Sequence, residues 1–242
     1  MENAKNRTSG NGKICYVEIP ATDINESAAF YQAVFGWTVN VNSDGTACFD
    51  DGINEVSGTW VLGRKACDEA GLLISIMVDS AVETLKSITA HGGKVVKQWT
   101  MGSDEQLAWF NDPAGNLFGI YQHPGGGNGK ICYVEIPAHE SEQSANFYKA
   151  VFNWPLREDN HGNIAFDDGV GVVSGMWVTG AIPSAEPGPL IYILVNDIPT
   201  ASEKIVLNGG KIVQPDDIFP KANGLLFSDP GGNVLGMKPF GS

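Results

Sequence analysis

Apolar positions alternate with period two, switch to a helical period, and switch back, and the cycle runs four times along the chain. In the first cycle Cys15, Val17 and Ile19 are apolar, while Ile14, Tyr16 and Glu18 are mixed, which predicts a strand with one face on a core. Asp23-x-x-Glu26 reads as a capping box, and Ala29, Phe30, Ala33, Val34 and Trp37 follow at helical spacing. Gly36 falls where a left-handed helix end is needed. Short strands are predicted over 38–42, 47–50 and 57–62, with turns at Asp44-Gly45 and Asp51-Gly52. The pattern restarts with a strand over 72–78, where Ile74, Ile76 and Val78 share a face. Ser80-x-x-Glu83 caps a second helix that ends at Gly92-Gly93. Strands follow over 94–98, 107–111 and 116–121, the last two joined by the turn Asp112-Pro113-Ala114-Gly115. The order is βαβββ, twice.

The second half repeats the first. Asn11 to Pro20 reads NGKICYVEIP, and so does Asn128 to Pro137, which fixes the offset at 117. FYQAVFGW from Phe30 recurs as FYKAVFNW from Phe147, and Asn153 takes the place of Gly36. FDDG, VSG-x-WV and DP-x-GN recur at the same offset. The chain therefore holds four βαβββ modules in an α+β fold, as copies over 12–123 and 128–242. Each copy is long enough to hold its own core. Residues 124–127, Pro-Gly-Gly-Gly, are expected to be a flexible link that few contacts cross, and residues 1–11 a disordered tail.

A formal net charge of −13 leaves no basic stripe for phosphates and excludes a nucleic-acid partner. No apolar run approaches the roughly 20 residues of a membrane span, and no signal peptide is expected. Cys15, Cys48, Cys67 and Cys132 form no CxxC, and Cys48 and Cys67 correspond to Ala165 and Ser184 in the second copy. A reduced, cytoplasmic setting follows. The alternation assigns Cys15 and Cys132 to the helix side as buried thiols.

The double βαβββ order, the run D-x-x-x-(S/A)-x-x-FY-x-x-x-(F/L)-G-W and the closing DP-x-GN resemble the vicinal oxygen chelate superfamily. That group includes glyoxalase I, extradiol dioxygenases and bleomycin-resistance proteins; the nearest flavour is a tandem-domain branch related to lactoylglutathione lyase. The resemblance implies cupped mixed sheets with helices outside. In family enzymes it also implies a divalent metal held by the first strand, the first strand of the next module and the last strand. The matching positions here are Tyr16, Leu73 and Gly119, and Tyr133, Leu190 and Gly236. None is a usual ligand. His91, His123, His139 and His161 repeat in neither copy. No metal ligand and no cofactor is therefore assigned.

If Tyr16 and Tyr133 point into the cups, so do Glu18 and Glu135. The same step adds Ser75 and Tyr121 to the first copy, and Tyr192 and Lys238 to the second. Trp60 and Trp177 are core residues with ligand stacking as the alternative. Lys238 would compensate Glu135, leaving Glu18 the freer acid. Four functions remain: a binder of a small organic molecule, a metal-independent lyase or isomerase using Glu18 or Glu135 as general base, a divergent metal-dependent lyase or dioxygenase, and an interaction protein with filled cups. The first two stand level. A small-molecule ligand and a homodimer are the expected partners.

Overall fold

The computed structural model describes residues 7–42, 46–64, 72–101, 105–113, 115–122, 127–158, 162–182, 189–213, 224–228 and 232–239. The first copy contains β1 (Ile14–Ala21), α1 (Ile24–Phe35), β2 (Thr38–Val41), β3 (Ala47–Asp50), β4 (Ser57–Leu62), β5 (Leu73–Val78), α2 (Ala81–Ala90), β6 (Lys94–Met101), β7 (Glu105–Asn111) and β8 (Leu117–Gln122). The second contains β9 (Ile131–Ala138), α3 (Ser141–Phe152), β10 (Leu156–Glu158), β11 (Ile164–Asp167), β12 (Ser174–Thr179), β13 (Leu190–Val195), α4 (Ile198–Leu207), β14 (Lys211–Val213), β15 (Leu225–Ser228) and β16 (Val234–Pro239). The expected α+β order appears in both. The Asp44-Gly45 turn, Cys67, His123 and His161 lie outside the described residues.

Local chemistry accounts for the helix ends. Asp23 accepts hydrogen bonds from the amides of Asn25 and Glu26 at the start of α1. Gly36 and Asn153 both close their helices in the left-handed region, at φ 69° and 61°. The asparagines of the two DP-x-GN motifs tie the sheet together: Asn116 and Asn233 donate to the carbonyls of Pro20 and Pro137, at 2.7 and 2.6 Å.

Strand pairing departs from the division at residues 124–127. One eight-stranded sheet runs β14-β15-β16-β13-β1-β4-β3-β2 and the other β10-β11-β12-β9-β5-β8-β7-β6. The first module thus joins the fourth through antiparallel β1 and β13, and the second joins the third through β5 and β9. The expectation that few contacts cross the link is corrected: every sheet is half one copy and half the other. The helices behave oppositely. α1 packs on β2–β4 and on α2, which packs on β6–β8. The aromatic contacts of Tyr31 (with Trp37, Trp60 and Phe118) stay within one copy, as do those of Tyr148 with Trp154 and Trp177. Strands cross between copies; these helix-side ring contacts do not.

The repeated decapeptide seats this crossing. Trp154 donates to the Gly12 carbonyl at 2.6 Å, and Trp37 to that of Gly129 at 2.7 Å. The buried carboxylate of Asp168 accepts from the Ile14 amide, and that of Asp51 from Ile131. A side chain at Gly12 would lie 2.3 Å from the Phe152 carbonyl oxygen, and one at Gly129 2.1 Å from that of Phe35. Both glycines also sit at positive φ. Each copy's Asn-Gly-Lys turn is clamped by the other copy's Asp-Asp-Gly turn, so both turns are under the same constraint.

Residues 7–10 of the expected disordered tail are ordered. Arg7 pairs with Asp50 and donates to Asn54, and Thr8 hydrogen-bonds Glu55. They cover a buried ion pair, Lys13 Nζ to Glu55 Oε2 at 2.7 Å. The tail matters because Val172 replaces Glu55 in the second copy, which has no such pair.

Candidate functional site: two unlike cups

Each sheet turns one face to the helices and the other to a cup. Because the strands cross, the cups mix the copies and the expected grouping is re-sorted. The cup of the first and fourth modules holds Tyr16, Glu18, Tyr192 and Lys238. That of the second and third holds Ser75, Tyr121, Tyr133 and Glu135.

A β-bulge shapes both floors. On β1, Ile14 pairs with Ile193 and Tyr16 with Tyr192, so Cys15 is the extra residue. Ile14, Val17 and Ile19 join the helix-side core, whereas Cys15 packs with Tyr16 around Tyr192. Cys132 bulges in the same way and lines a cavity. The helix-side assignment of both thiols is corrected; strict alternation fails where one residue is inserted. Burial pushes them up, to about 11 for Cys15 and about 12 for Cys132. Neither is a ready nucleophile.

The first cup is filled by its own side chains. Arg64 donates to Glu18 Oε2 at 2.5 Å, both side chains being under 5% exposed. The Tyr192 hydroxyl donates to Oε1 at 2.9 Å. The Lys238 ammonium lies 3.6 Å from the centroid of the Tyr16 ring and 5.4 Å from that of Tyr192. Burial lowers the Lys238 pKa, against the opposing pull of nearby groups including Glu18. The pairing of Lys238 with Glu135 and the freedom of Glu18 are therefore both corrected: Lys238 shares the cup of Glu18, and Glu18 is the compensated acid. Arg64 escaped the sequence reading because it lies beyond β4, where no alternation points to a face.

The second cup is open. A cavity of about 990 Å³ is lined by Glu135, Tyr133, Ser75, Met77, Tyr121, Met176 and the edge-to-face pair Trp99 and Trp109, whose centroids are 5.0 Å apart. Glu135 is half-buried between Leu73 and Met176 in register. It has no hydrogen-bond or ion-pair partner among the described residues, and burial raises its pKa. Arg157 also lines the cavity, 3.6 Å from Asp167, which accepts from the Ser174 hydroxyl.

The offset of 117 makes the two cups an internal comparison. Arg64, Tyr192 and Lys238, which surround Glu18, correspond to Ala181, Ser75 and Tyr121 around Glu135. The cavity lies where the first cup carries its own bulk. Trp60 and Trp177, candidate ligand contacts, lie instead in the helix-side aromatic cores, 3% exposed. Trp99 and Trp109 were missed because Asp216 and Leu226 replace them in the other copy.

The metal positions offer a phenol, an alkyl group and a glycine in each cup. In the first cup a side chain at Gly236 would lie 2.1 Å from the Tyr192 ring, so the space a carboxylate ligand would need is occupied. In the second, one at Gly119 would lie 2.2 Å from Ser75 Oγ. This donor set does not fit a divalent metal at the family position. Among the described residues no group of three His, Cys, Asp or Glu side chains converges elsewhere.

Residues 13–52 match the model of the bleomycin resistance protein-like N-terminal region, and residues 130–237 that of the glyoxalase/bleomycin resistance protein/dioxygenase superfamily. The chain belongs to the vicinal oxygen chelate superfamily. Glyoxalase I from Zea mays shares its fold, with a TM-score of 0.71 at 19% identity over 93% of this chain and 91% of that one. A putative dioxygenase from Bacillus subtilis gives 0.66 at 13% identity, over 97% and 87%. A glyoxylase-like domain-containing protein from Didymella fabae is 28% identical over 124 residues, 48% of this chain and 97% of that one. Within the superfamily, then, this chain keeps the cupped sheets with a different set of side chains at the metal position. Among the described residues no helix is long and apolar enough to cross a membrane.

Proposed function

We propose that the chain binds one small organic molecule, in the cup built by the second and third modules. The observation that carries this reading is a cavity of about 990 Å³, walled by Trp99, Trp109, Tyr121 and Tyr133, with the carboxylate of Glu135, which has no partner among the described residues, in it. A largely apolar, aromatic concavity with a few polar groups, among them Glu135, Ser75 and Arg157, suits a compact organic ligand. The other cup serves the fold, its carboxylate already neutralised by Arg64. A reducing cytoplasm as the setting is supported by free thiols at Cys15, Cys48 and Cys132. The bound chain is expected to need neither nucleic acid nor membrane.

The test uses the residue that fills the other cup. Ser75→Tyr places a ring where Tyr192 lies in the first cup. Gly119 provides the same bare backbone beside it as Gly236 does for Tyr192. Native mass spectrometry of the freshly purified chain should show a retained small molecule, lost in the Ser75→Tyr variant without loss of fold. A molecule retained equally by both proteins would refute the site.

A second reading, a metal-independent enzyme of lyase or isomerase type, is favoured by one observation: burial raises the Glu135 pKa toward the range of a general base. Tyr133 and Tyr121 stand in the same cavity as candidate proton donors. If it holds, a ligand C–H should exchange with solvent deuterium in the parent chain and not in Glu135→Gln. Exchange at the same rate in both would exclude Glu135 as the base.

A further inference from the structure

The filled cup shows what the open cup lacks. Glu18 receives a guanidinium nitrogen on one oxygen and a phenol on the other. Among the described residues Glu135 receives neither, because Ala181 stands for Arg64 and Ser75 for Tyr192. The backbones leading to the two positions match: Gly63 and Gly180, immediately before them, have φ of 82° and 81°. Residue 181 thus follows β12 as residue 64 follows β4, two positions past the strand end, with a methyl group in place of a guanidinium. A buried carboxylate without a counter-charge is costly, and a cation from outside relieves that cost. The cup also presents the indole pair Trp99 and Trp109, where the Lys97 ammonium already lies 4.7 Å from the Trp99 centroid; such aromatic faces suit a flat, delocalised cation better than a compact, strongly hydrated one.

We infer that position 181 decides the specificity of the open cup, and that its ligand carries a planar amidinium or guanidinium group that meets Glu135 as Arg64 meets Glu18. This deepens the binding role proposed above and rests on it. Arg64 is then the first cup's built-in ligand. The alanine at 181 leaves the equivalent place to a molecule from solution.

The experiment is a calorimetric titration of the full chain at neutral pH with benzamidine, and with benzamide as its uncharged counterpart. Benzamidine should bind at one site per chain and at least ten-fold more tightly than benzamide. Ala181→Arg should weaken benzamidine at least ten-fold and melt no lower than the parent, because the new arginine pairs with Glu135. Glu135→Gln should weaken it as strongly, which keeps the test intact if Ala181→Arg fails to fold. Equal affinity for the two probes overturns the inference, as does undiminished benzamidine binding in a folded Ala181→Arg chain, or no binding of benzamidine. Equal binding of both probes that is lost in Ser75→Tyr removes the cation but leaves the organic-ligand role standing. Co-purification decides that role independently.

Discussion

Glu18 and Glu135 occupy one repeat position, yet substituting each by glutamine should have opposite consequences. Glu18→Gln removes the negative charge facing a guanidinium that is 4% exposed, with the pair 2.5 Å apart. Breaking a buried pair from one side costs about 3–5 kcal/mol, because the remaining charge keeps its desolvation penalty. For a chain of this length each kcal/mol moves the midpoint by about 2–4 °C, so the melting temperature should fall by about 6–20 °C. Glu135→Gln removes a half-buried charge that lines the open cavity and has no partner among the described residues. Its carboxyl is raised by burial, so the folded state holds its proton more tightly than the unfolded state does. Ionisation then works against folding as pH rises through that range. At pH 7 the glutamine variant should melt at or above the parent, and any gain should vanish as pH falls to the ordinary glutamate range. Scanning calorimetry of both variants across pH 4 to 8 reads all of this. A third chain, Glu18→Leu with Arg64→Met, should regain most of what Glu18→Gln loses, since an apolar replacement leaves no buried charge. Equal losses from the two glutamine variants would sink the assignment of one compensated and one exposed-to-ligand carboxylate.

Other outcomes follow from the same geometry. Burial raises the Glu55 carboxyl, but its bonds to Lys13 and Thr8 outweigh that and hold it below the ordinary value; the folded state therefore binds fewer protons, and stability is lost as pH falls through the lowered value. Glu55→Gln should flatten the acid limb of a stability-against-pH curve, and an unchanged limb would place the acid sensitivity elsewhere. Trp154→Phe keeps the ring but loses the 2.6 Å bond to the Gly12 carbonyl, which still accepts from the Gly169 amide at 3.0 Å, so the cost by urea denaturation should be that of one hydrogen bond, about 0.5–1.5 kcal/mol; no loss would mean that the interlock is only steric. Cys132, pushed up to about 12, should resist iodoacetamide at pH 8 in the folded chain and react on unfolding; rapid labelling of the native protein would contradict its burial.

Much of the fold can be read from the residues because each element carries its own local signal. Asp23 and Ser80 mark helix starts, Gly36 and Asn153 a helix end, and period-two alternation the strands. Those signals are short-range and say nothing about which strand meets which. The crossing of β1 to β13 is set by contacts 177 residues apart in sequence, such as Cys15 with the Tyr192 carbonyl. That is why the residues of each cup were identified as cup-facing but sorted into the wrong pairs. The bulge at Cys15 escaped for a related reason. Ile14, Val17 and Ile19 are all core residues, and the odd spacing from Ile14 to Val17 is the trace of an inserted residue. Arg64 was illegible because it lies past the end of β4, where no alternation assigns a face, and Trp99 because it lies on β6, which carries none of the positions that mark the cup.

The crossing of strands between copies has a consequence for descent. In an ancestor made of two identical single-copy chains, both cups would have been built from the same residues. A tyrosine that filled one would have filled both, and selection could not close a cup without abolishing whatever the other did. Joining the copies in one chain breaks that tie, because Tyr192 and Ser75 are now separate codons, as are Arg64 and Ala181. One cup became free to accumulate changes that hold the fold together while the other stayed hollow. Ancestral half-length chains, reconstructed and expressed alone, should therefore assemble as pairs and carry two matching cups.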